Sequence, residues 1–341
     1  MQRCLQLASL GAGSVAPNPM VGAVLVCNNR IIGEGYHKQY GFAHAEVNCI
    51  NSVKEEDIPL IPQSTIHVSL EPCAHWGKTP PCADLIIRKK IPKVVVGCRD
   101  PFEQVDGKGI EKLKAAGVEV VMSTLGKECI HFNKRFFTFH TKHRPYIILK
   151  WAQTADGFIA SSNEDRLLIS HKFTNRLVHK WRSEEAAILV GTNTALADNP
   201  QLNNRLWKGK WPVRLVLDKK LRLPHSLHLF DNTIRTVVLN DSLQKEEEQI
   251  LHYKMEESES VASSVCRACY KLNIQSVLVE GGAQLLQAFI DGGLWDEARI
   301  ITNQKLYIGK GLSAPHLQQH TLTQTEQINN DRIDYFTHTH K

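Results

Sequence analysis

Three residues of this 341-residue chain have the types and spacing to hold a metal: His44, Cys73 and Cys82. Zinc takes imidazole and thiolate donors in a tetrahedral shell. Three protein ligands leave the fourth position open, as a catalytic site needs, whereas a structural site fills it with another side chain. Glu46 stands two residues after His44. If a helix starts there, its carboxylate can reach a water on the metal without binding the metal itself. A metal ion lowers the pKa of such a water, and a carboxylate beside it can carry the proton. The chemistry would be hydrolysis. Each short motif is weak alone, and a surface His-Glu beside two buried cysteines gives the same letters. The order of the four residues, with Pro72 before Cys73, favours the metal.

A second place for chemistry is Glu280-Gly281-Gly282, between the apolar run SVLV and the helical run AQLLQAFI. A glycine turn into a helix leaves amides free at the helix N-terminus, which suits a phosphate. The same tripeptide also reads as a tight turn, and it is not a G-x-G-x-x-G fingerprint. Cys266 and Cys269 form a C-x-x-C, but no second pair accompanies them, so they read as thiols on a helix. His131, His140, His143, His338 and His340 show no ligand spacing with cysteines and read as surface residues.

The elements that must position these groups alternate between strand and helix. A length prior of ~150 residues per domain predicts two domains. Apolar residues make up 42% and charged residues 22%, an ordinary globular composition that excludes collagen, coiled coil and wholesale disorder. The apolar runs at 94–98 and 186–191 fall far short of the ~20 residues of a membrane helix. With no sustained apolar leader, the expectation is a soluble cytoplasmic protein that engages no membrane. The net charge of +6 includes no run of five or six like charges, which argues against nucleic acid as partner and allows small phosphorylated metabolites. Nine cysteines, an odd number, argue against a disulfide framework. GAVLVCNNRIIGEGYH predicts two strands around Asn28-Asn29. Helices are expected at 44–54, over ADLIIRKK, over IEKLKAAG closed by Gly117, and as one long helix at 124–140. STIHVSL, KVVVGC and VEVVM read as strands. A boundary near residue 143 separates the halves, giving domains 1–143 and 144–341. In the second half AAILVG, VRLVLD, TVVLN and SVLV read as strands, 242–262 as a charged helix, and the last dozen residues as a closing strand. Both halves read as α/β sheets with helices on their faces.

The pattern H-x-E…P-C is that of zinc deaminases acting on nucleobases. Here eight residues, AHWGKTPP, separate Cys73 from Cys82, where nucleobase deaminases usually have two. With PNPMVGAVLV at 17–26, GEGYH at 33–37 and EPCAHWGKTPPC at 71–82, the first half resembles the deaminase domain of the bifunctional riboflavin-biosynthesis deaminase–reductase family, and the long spacing is a feature of that family. The resemblance implies a cytidine-deaminase-like α/β/α fold, Zn2+, and hydrolytic removal of the 2-amino group of a diamino-phosphoribosylamino-pyrimidinone. It implies that Asn18, His37, His75 and Lys78 line the substrate pocket, with Asp100 at its edge. Read without it, Asn18 is a turn residue between prolines, and His37 and His75 are surface histidines. Phe102 and Glu103 stand where the family usually has Asn and Pro. Met1 aligns with a methionine that several residues normally precede, so a short first helix is expected.

The second half resembles the reductase domain of the same family through KWAQTADGFIA at 150–160, LVHKWRSEEAAILVGTNTALADNPQL at 177–202, PVRLVLDKKLRLP at 212–224 and VEGGAQLL at 279–286. The resemblance implies a dihydrofolate-reductase-like fold, NADPH, and reduction of a ribosyl group to ribityl. It implies Lys150, Arg166, Arg182, Leu202, Arg205 and Glu280 as substrate residues, with Arg182 and Arg205 suited to a 5′-phosphate. Without it both arginines read as solvated surface groups. The implied cofactor lining is Ala152, Leu168, Thr194, Asp198 and Lys219, with Gly282, Ala283, Gln284, Leu285, Leu286, Gln287 and Ala288. Leu168 stands where the family commonly has tryptophan, Arg166 where a serine is common, and Asn203 replaces a frequent threonine. Such proteins commonly assemble as dimers or tetramers, which is the expectation here. Three other readings stand: a deaminase of another base or nucleotide, an impaired or re-purposed reductase half, and a non-catalytic zinc-stabilised binding protein. Glu46 argues against the last.

Overall fold

The computed structural model describes all residues except 77–79, 163–166, 257–259 and 340–341. The chain divides into two compact units, Met1–Lys142 and His143–Lys341. Among the described residues no helix is long and apolar enough to cross a membrane.

The first unit runs α1 (Gln2–Ser9), β1 (Gly22–Cys27), β2 (Arg30–Tyr36), α2 (Ala45–Asn51), β3 (Thr65–Val68), α3 (Cys82–Arg88), β4 (Lys93–Val96), α4 (Lys108–Ala115), β5 (Glu119–Met122), α5 (Gly126–Phe132) and α6 (Lys134–Lys142). Its sheet has the order β2-β1-β3-β4-β5. β1 pairs antiparallel with β2 and β3, while β3, β4 and β5 are parallel. The β1–β2 hairpin turns on Asn28 (φ 49°) and Asn29 (φ 61°). Asparagine tolerates the left-handed backbone that such a turn demands at both positions. Gly117 (φ 80°) follows α4 in the same left-handed region, where a Cβ would be strained. Ala23, Leu25, Ile66, Val68, Val94 and Val96 meet Ala45, Cys49 and Ile86 in the core, so α2 and α3 are fixed against the sheet.

The expected helix at 124–140 is two helices. It breaks at Asn133, which is 4% exposed. The Asn133 side chain donates to the Met20 carbonyl and accepts from the Met20 N–H, both at 2.9 Å. An asparagine bonded to remote backbone competes with the helix ladder.

The second unit runs β6 (Tyr146–Thr154), β7 (Phe158–Ser161), α7 (Lys172–Glu184), β8 (Ala187–Gly191), α8 (Thr192–Asp198), β9 (Val213–Leu217), β10 (Thr236–Asn240), β11 (Lys245–Glu247), β12 (Ile250–Lys254), α9 (Val261–Lys271), β13 (Ser276–Val279), α10 (Ala283–Asp291), β14 (Glu297–Asn303), β15 (Gly311–Ser313), β16 (His320–Ile328) and β17 (Asp331–His338). The large sheet has the order β11-β12-β10-β9-β8-β13-β6-β14-β17-β16. From β12 through β14 neighbouring strands are parallel, and β11, β17 and β16 add antiparallel edges. The inner strands are buried on both faces, as their unbroken apolar runs require.

The charged stretch 242–262 is not a helix. It forms the edge hairpin β11–β12, and α9 begins only at Val261. Glu248 (φ 47°) makes the turn. Lys245, Glu246 and Glu247 lie exposed along the outermost strand, where charge discourages edge-to-edge pairing. Cys266 and Cys269 are buried thiols on α9. His140 and His338 are half-buried among aromatic rings rather than on the surface, His140 4.4 Å from Phe136 and His338 4.7 Å from Trp295 between centroids. His340 lies outside the described residues.

Candidate active sites

In the first unit, one residue before a helix and one at the start of another bring the metal-type donors together. His44 is the N-cap of α2, and Cys82 opens α3 after Pro81. His44 Nδ1 lies 3.6 Å from Cys73 Sγ and 3.5 Å from Cys82 Sγ. All three donor atoms fall within 4.8 Å of one another. The Cys82 N–H donates to Cys73 Sγ at 3.4 Å. Cys82 beside it, and then His44, draw the Cys73 thiol well below its ordinary range, toward the thiolate a metal takes. One imidazole and two thiols at this separation suit tetrahedral zinc with an open fourth position.

Glu46 sits in the first turn of α2 with 3% of its surface exposed. Burial pushes its carboxyl up to about 7. A carboxyl at the edge of the donor set is placed to take a proton from an attacking water and return it to a leaving group.

Asn18 and His37 lie against the donors. His37 Nδ1 faces the Ala43 carbonyl at 3.1 Å, and its Nε2 faces Asn18 Nδ2 at 3.1 Å. That pair of contacts assigns the proton to Nδ1 and leaves Nε2 to accept. The His37 ring stands edge-on to His44, with centroids 5.3 Å apart, and burial holds its pKa down. His75 follows Cys73, and its Nδ1 is buried without a partner among the described residues. Lys78 lies outside the described residues. Asp100 is 6% exposed, and burial pushes its carboxyl up to about 7. Its Oδ1 accepts from the Phe102 N–H at 2.8 Å, and Phe102 packs between His75 and His140.

Sequence reasoning passed over Glu71. Its carboxylate, 4% exposed, accepts from four backbone N–H groups: Asp100 at 3.2 Å, Gly107 at 3.0 Å, Gly109 at 3.0 Å and Ile110 at 3.1 Å. A Cβ on Gly109 would sit 1.8 Å from the Pro72 carbonyl oxygen, so only glycine allows this approach. The one signal available was its place directly before Pro72-Cys73.

In the second unit a cleft of about 1460 Å³ opens beside the ends of β6, β8, β9 and β13. Lys150, Arg182 and Glu280 line it, as do Leu202 and Arg205. Arg182 Nε and Nη2 donate to Glu280 Oε1 and Oε2 at 2.7 and 2.6 Å, and Nη1 donates to the Asn203 carbonyl at 3.0 Å. Lys150 Nζ stands 3.7 Å from Glu280 Oε2. Burial works to raise the Glu280 carboxyl, but Arg182 and Lys150 override it and hold it down to about 2. The Arg182 fork is thus largely committed to Glu280, while Arg205 Nη1 rests on the Asn203 side chain at 3.0 Å.

Ala152, Leu168, Thr194, Asp198 and Lys219 also line the cleft, Leu168 with 76% of its surface exposed. Gly282, Ala283, Gln284, Leu285, Leu286 and Ala288 line it from the start of α10. Gln287 does not. Its Nε2 donates to Asp291 at 2.7 Å and its Oε1 accepts from the His316 N–H at 2.9 Å, on another face of the helix. Arg166 lies outside the described residues. A Cβ on Gly281 would meet Thr194 Cγ2 at 2.7 Å, Gly282 takes φ 80°, and no side chain caps α10. The two glycines keep this turn clear of side chains where α10 begins, next to Thr194. His179 also lines the cleft and was not anticipated; burial, with Arg182 and Arg205, pushes it down to about 4.

Known proteins divide in the same way. The cytidine and deoxycytidylate deaminase zinc-binding region matches residues 1–98, and the RibD C-terminal domain matches residues 145–332. The chain is 38% identical over 325 residues to the riboflavin biosynthesis protein RibD of Actinobacillus pleuropneumoniae, covering 92% of this chain and 85% of that one. It is 35% identical over 340 residues to RibD of Aquifex aeolicus, covering 98% and 94%. A solved structure of a diaminohydroxyphosphoribosylaminopyrimidine deaminase/5-amino-6-(5-phosphoribosylamino)uracil reductase from Thermotoga maritima superposes with TM-score 0.88 at 36% identity, covering 99% of this chain and 97% of that one. Acinetobacter baumannii RibD superposes with TM-score 0.89 at 30% identity, covering 98% and 97%. Fold and site together define a two-domain enzyme, a zinc-type deaminase followed by a reductase. The chain belongs to the RibD family, the bifunctional deaminase–reductases of riboflavin biosynthesis.

Proposed function

We propose that the first unit deaminates 2,5-diamino-6-(5-phosphoribosylamino)pyrimidin-4(3H)-one and that the second reduces the ribosyl group of the resulting 5-amino-6-(5-phosphoribosylamino)uracil with NADPH. The observation that carries the reading is the pairing of an open His44–Cys73–Cys82 donor set and buried Glu46 with a separate cleft floored by Lys150, Arg182 and Glu280. Zinc held by His44, Cys73 and Cys82 would lower the pKa of the water that attacks the ring carbon losing its amine. Glu46 takes a proton from the attacking water and delivers it to the departing amino group, which leaves as ammonia. Asn18, His37, His75, Lys78 and Asp100 bind the pyrimidine and its phosphoribosyl arm; His37 Nε2 is fixed as an acceptor by its Nδ1 contact.

NADPH, if held in this cleft, would supply the hydride that reduces C1′ of the ring-opened imine form of the sugar, with the accompanying proton drawn from solvent. Ala152, Leu168, Thr194, Asp198, Lys219 and the first turn of α10 orient the dinucleotide. Leu202 and Arg205 hold the phosphorylated sugar, with Lys150 and Glu280 placed against its hydroxyls and Arg182 bracing Glu280. Positioning of the two reactants is the main task of such a site. The reading places the enzyme in the cytoplasm, where its nine free cysteines stay reduced, and expects the dimer or tetramer common in its family. Purified zinc-loaded protein tests it: the diaminopyrimidinone substrate releases ammonia without NADPH, and NADPH is oxidised only once that product has formed. Ammonia release with no oxidation of NADPH by the product would refute the reductase assignment.

A further inference from the structure

Arg214 lies in β9 with 1% of its surface exposed. Inner strands of a parallel sheet normally carry apolar residues, and an arginine keeps its charge wherever it is placed. The guanidinium is fully used. Nη1 donates to Asp231 Oδ1 at 2.7 Å and to the His228 carbonyl at 3.0 Å, Nε to the Gln201 carbonyl at 2.9 Å, and Nη2 reaches Asp231 Oδ2 at 3.4 Å and Thr233 Oγ1 at 3.5 Å. Asp231 supplies the counter-charge. The two carbonyls do not, yet both belong to residues that line the reductase cleft.

The segment that Arg214 grips is strained. Asn199 (φ 38°) and Leu202 (φ 45°) both occupy the left-handed region. Leucine pays a Cβ clash there, and Leu202 is 2% exposed. Such a backbone persists only where its surroundings over-determine it. Here they do. Asn199 Oδ1 accepts from the His228 N–H at 2.8 Å, Arg214 holds the Gln201 carbonyl, and Arg182 holds the Asn203 carbonyl at 3.0 Å. Buried Arg214 and half-buried Arg182 therefore fix the segment on either side of Leu202.

We propose that Arg214 is a positioning residue for the reductase reaction: its bond to the Gln201 carbonyl holds Leu202 in its left-handed backbone and thereby sets Leu202 and Arg205 at the substrate end of the cleft. The inference rests on the reading of Leu202 and Arg205 as substrate residues.

Two variants of the full chain separate positioning from stability. Arg214→Lys keeps a cation for Asp231 but cannot also reach both carbonyls. Asp231→Asn keeps the carbonyl bonds and removes the counter-charge. For Arg214→Lys the expected result is a rise of about tenfold or more in KM for the phosphorylated reductase substrate, the scale of one lost charge-assisted hydrogen bond, with NADPH affinity within about twofold of the parent. For Asp231→Asn the expected result is a lower Tm with KM within about twofold. An unchanged KM in Arg214→Lys, an equal rise in both variants, or loss of NADPH binding in Arg214→Lys overturns the proposal. Arg205→Ala tests the underlying reading separately. No change in KM there refutes the substrate assignment, whereas a rise there without one in Arg214→Lys refutes the role of Arg214.

Discussion

Arg182 and Glu280 grip one another through two parallel N–H···O bonds of 2.7 and 2.6 Å on the floor of the reductase cleft. Both side chains are nearly buried, and Lys150 adds a second cation 3.7 Å from the carboxylate. The cluster is a fixed array of charge rather than a free guanidinium. Truncating one partner of a buried pair leaves the other charge uncompensated.

Glu280→Gln should therefore cost the second unit about 3 kcal/mol and most of its reductase activity, with ammonia release unaffected. Denaturant unfolding followed by tryptophan fluorescence reads this unit, because Trp151, Trp181, Trp207, Trp211 and Trp295 lie in it and only Trp76 in the other. An unchanged midpoint would show that the pair does not hold the cleft.

Glu71→Gln should impair the deaminase half alone. One amide oxygen cannot accept the four N–H groups that the carboxylate now serves. Each charge-assisted bond lost to a buried amide costs about 1.5–3 kcal/mol, and the loop carrying Asp100 shifts. The expected readout is a raised KM for ammonia release with NADPH oxidation of the deaminated substrate intact. Equal KM values in variant and parent would contradict the role given to Glu71.

The second unit should lose stability in acid. Glu280 is held down to about 2 from 4.5, and Asp231 to about 2 from 3.8. Both folded pKa values lie below the unfolded ones, so their stabilisation is complete above about pH 4.5 and is lost as pH falls toward about 2. Tryptophan-detected urea midpoints should begin to fall below about pH 6.5, because His179 stays neutral in the folded unit and protonates on unfolding, and should fall further below about pH 4.5 as Glu280 and Asp231 take up protons. A midpoint that rises over the acid limb would reverse the sign.

What the sequence made legible was chemistry carried by residue type: His44, Cys73 and Cys82 suit a metal by kind and order, and the fold brings their donor atoms within 4.8 Å of one another, with Glu46 in the first turn of α2. What it hid depends on partners remote along the chain. Asn133 breaks the expected 124–140 helix through bonds to Met20. Glu71 and Arg214 act on backbone groups, which leave no trace in side-chain patterning. The run 242–262 carries charge without an apolar period, a pattern that fits the edge hairpin β11–β12 as well as a helix. Gln287 fell within a contiguous span expected to line the cofactor, but a helix turns successive residues to different faces.

The central claim is that two separate sites act in succession, and Glu46→Gln tests it most directly. The variant is supplied in parallel with the diaminopyrimidinone substrate and with the already deaminated uracil. The expected result is that ammonia release from the first falls by about a hundredfold or more, while NADPH oxidation with the second stays at the parent rate. Ammonia release that survives the substitution, or NADPH oxidation lost along with it, would contradict the account.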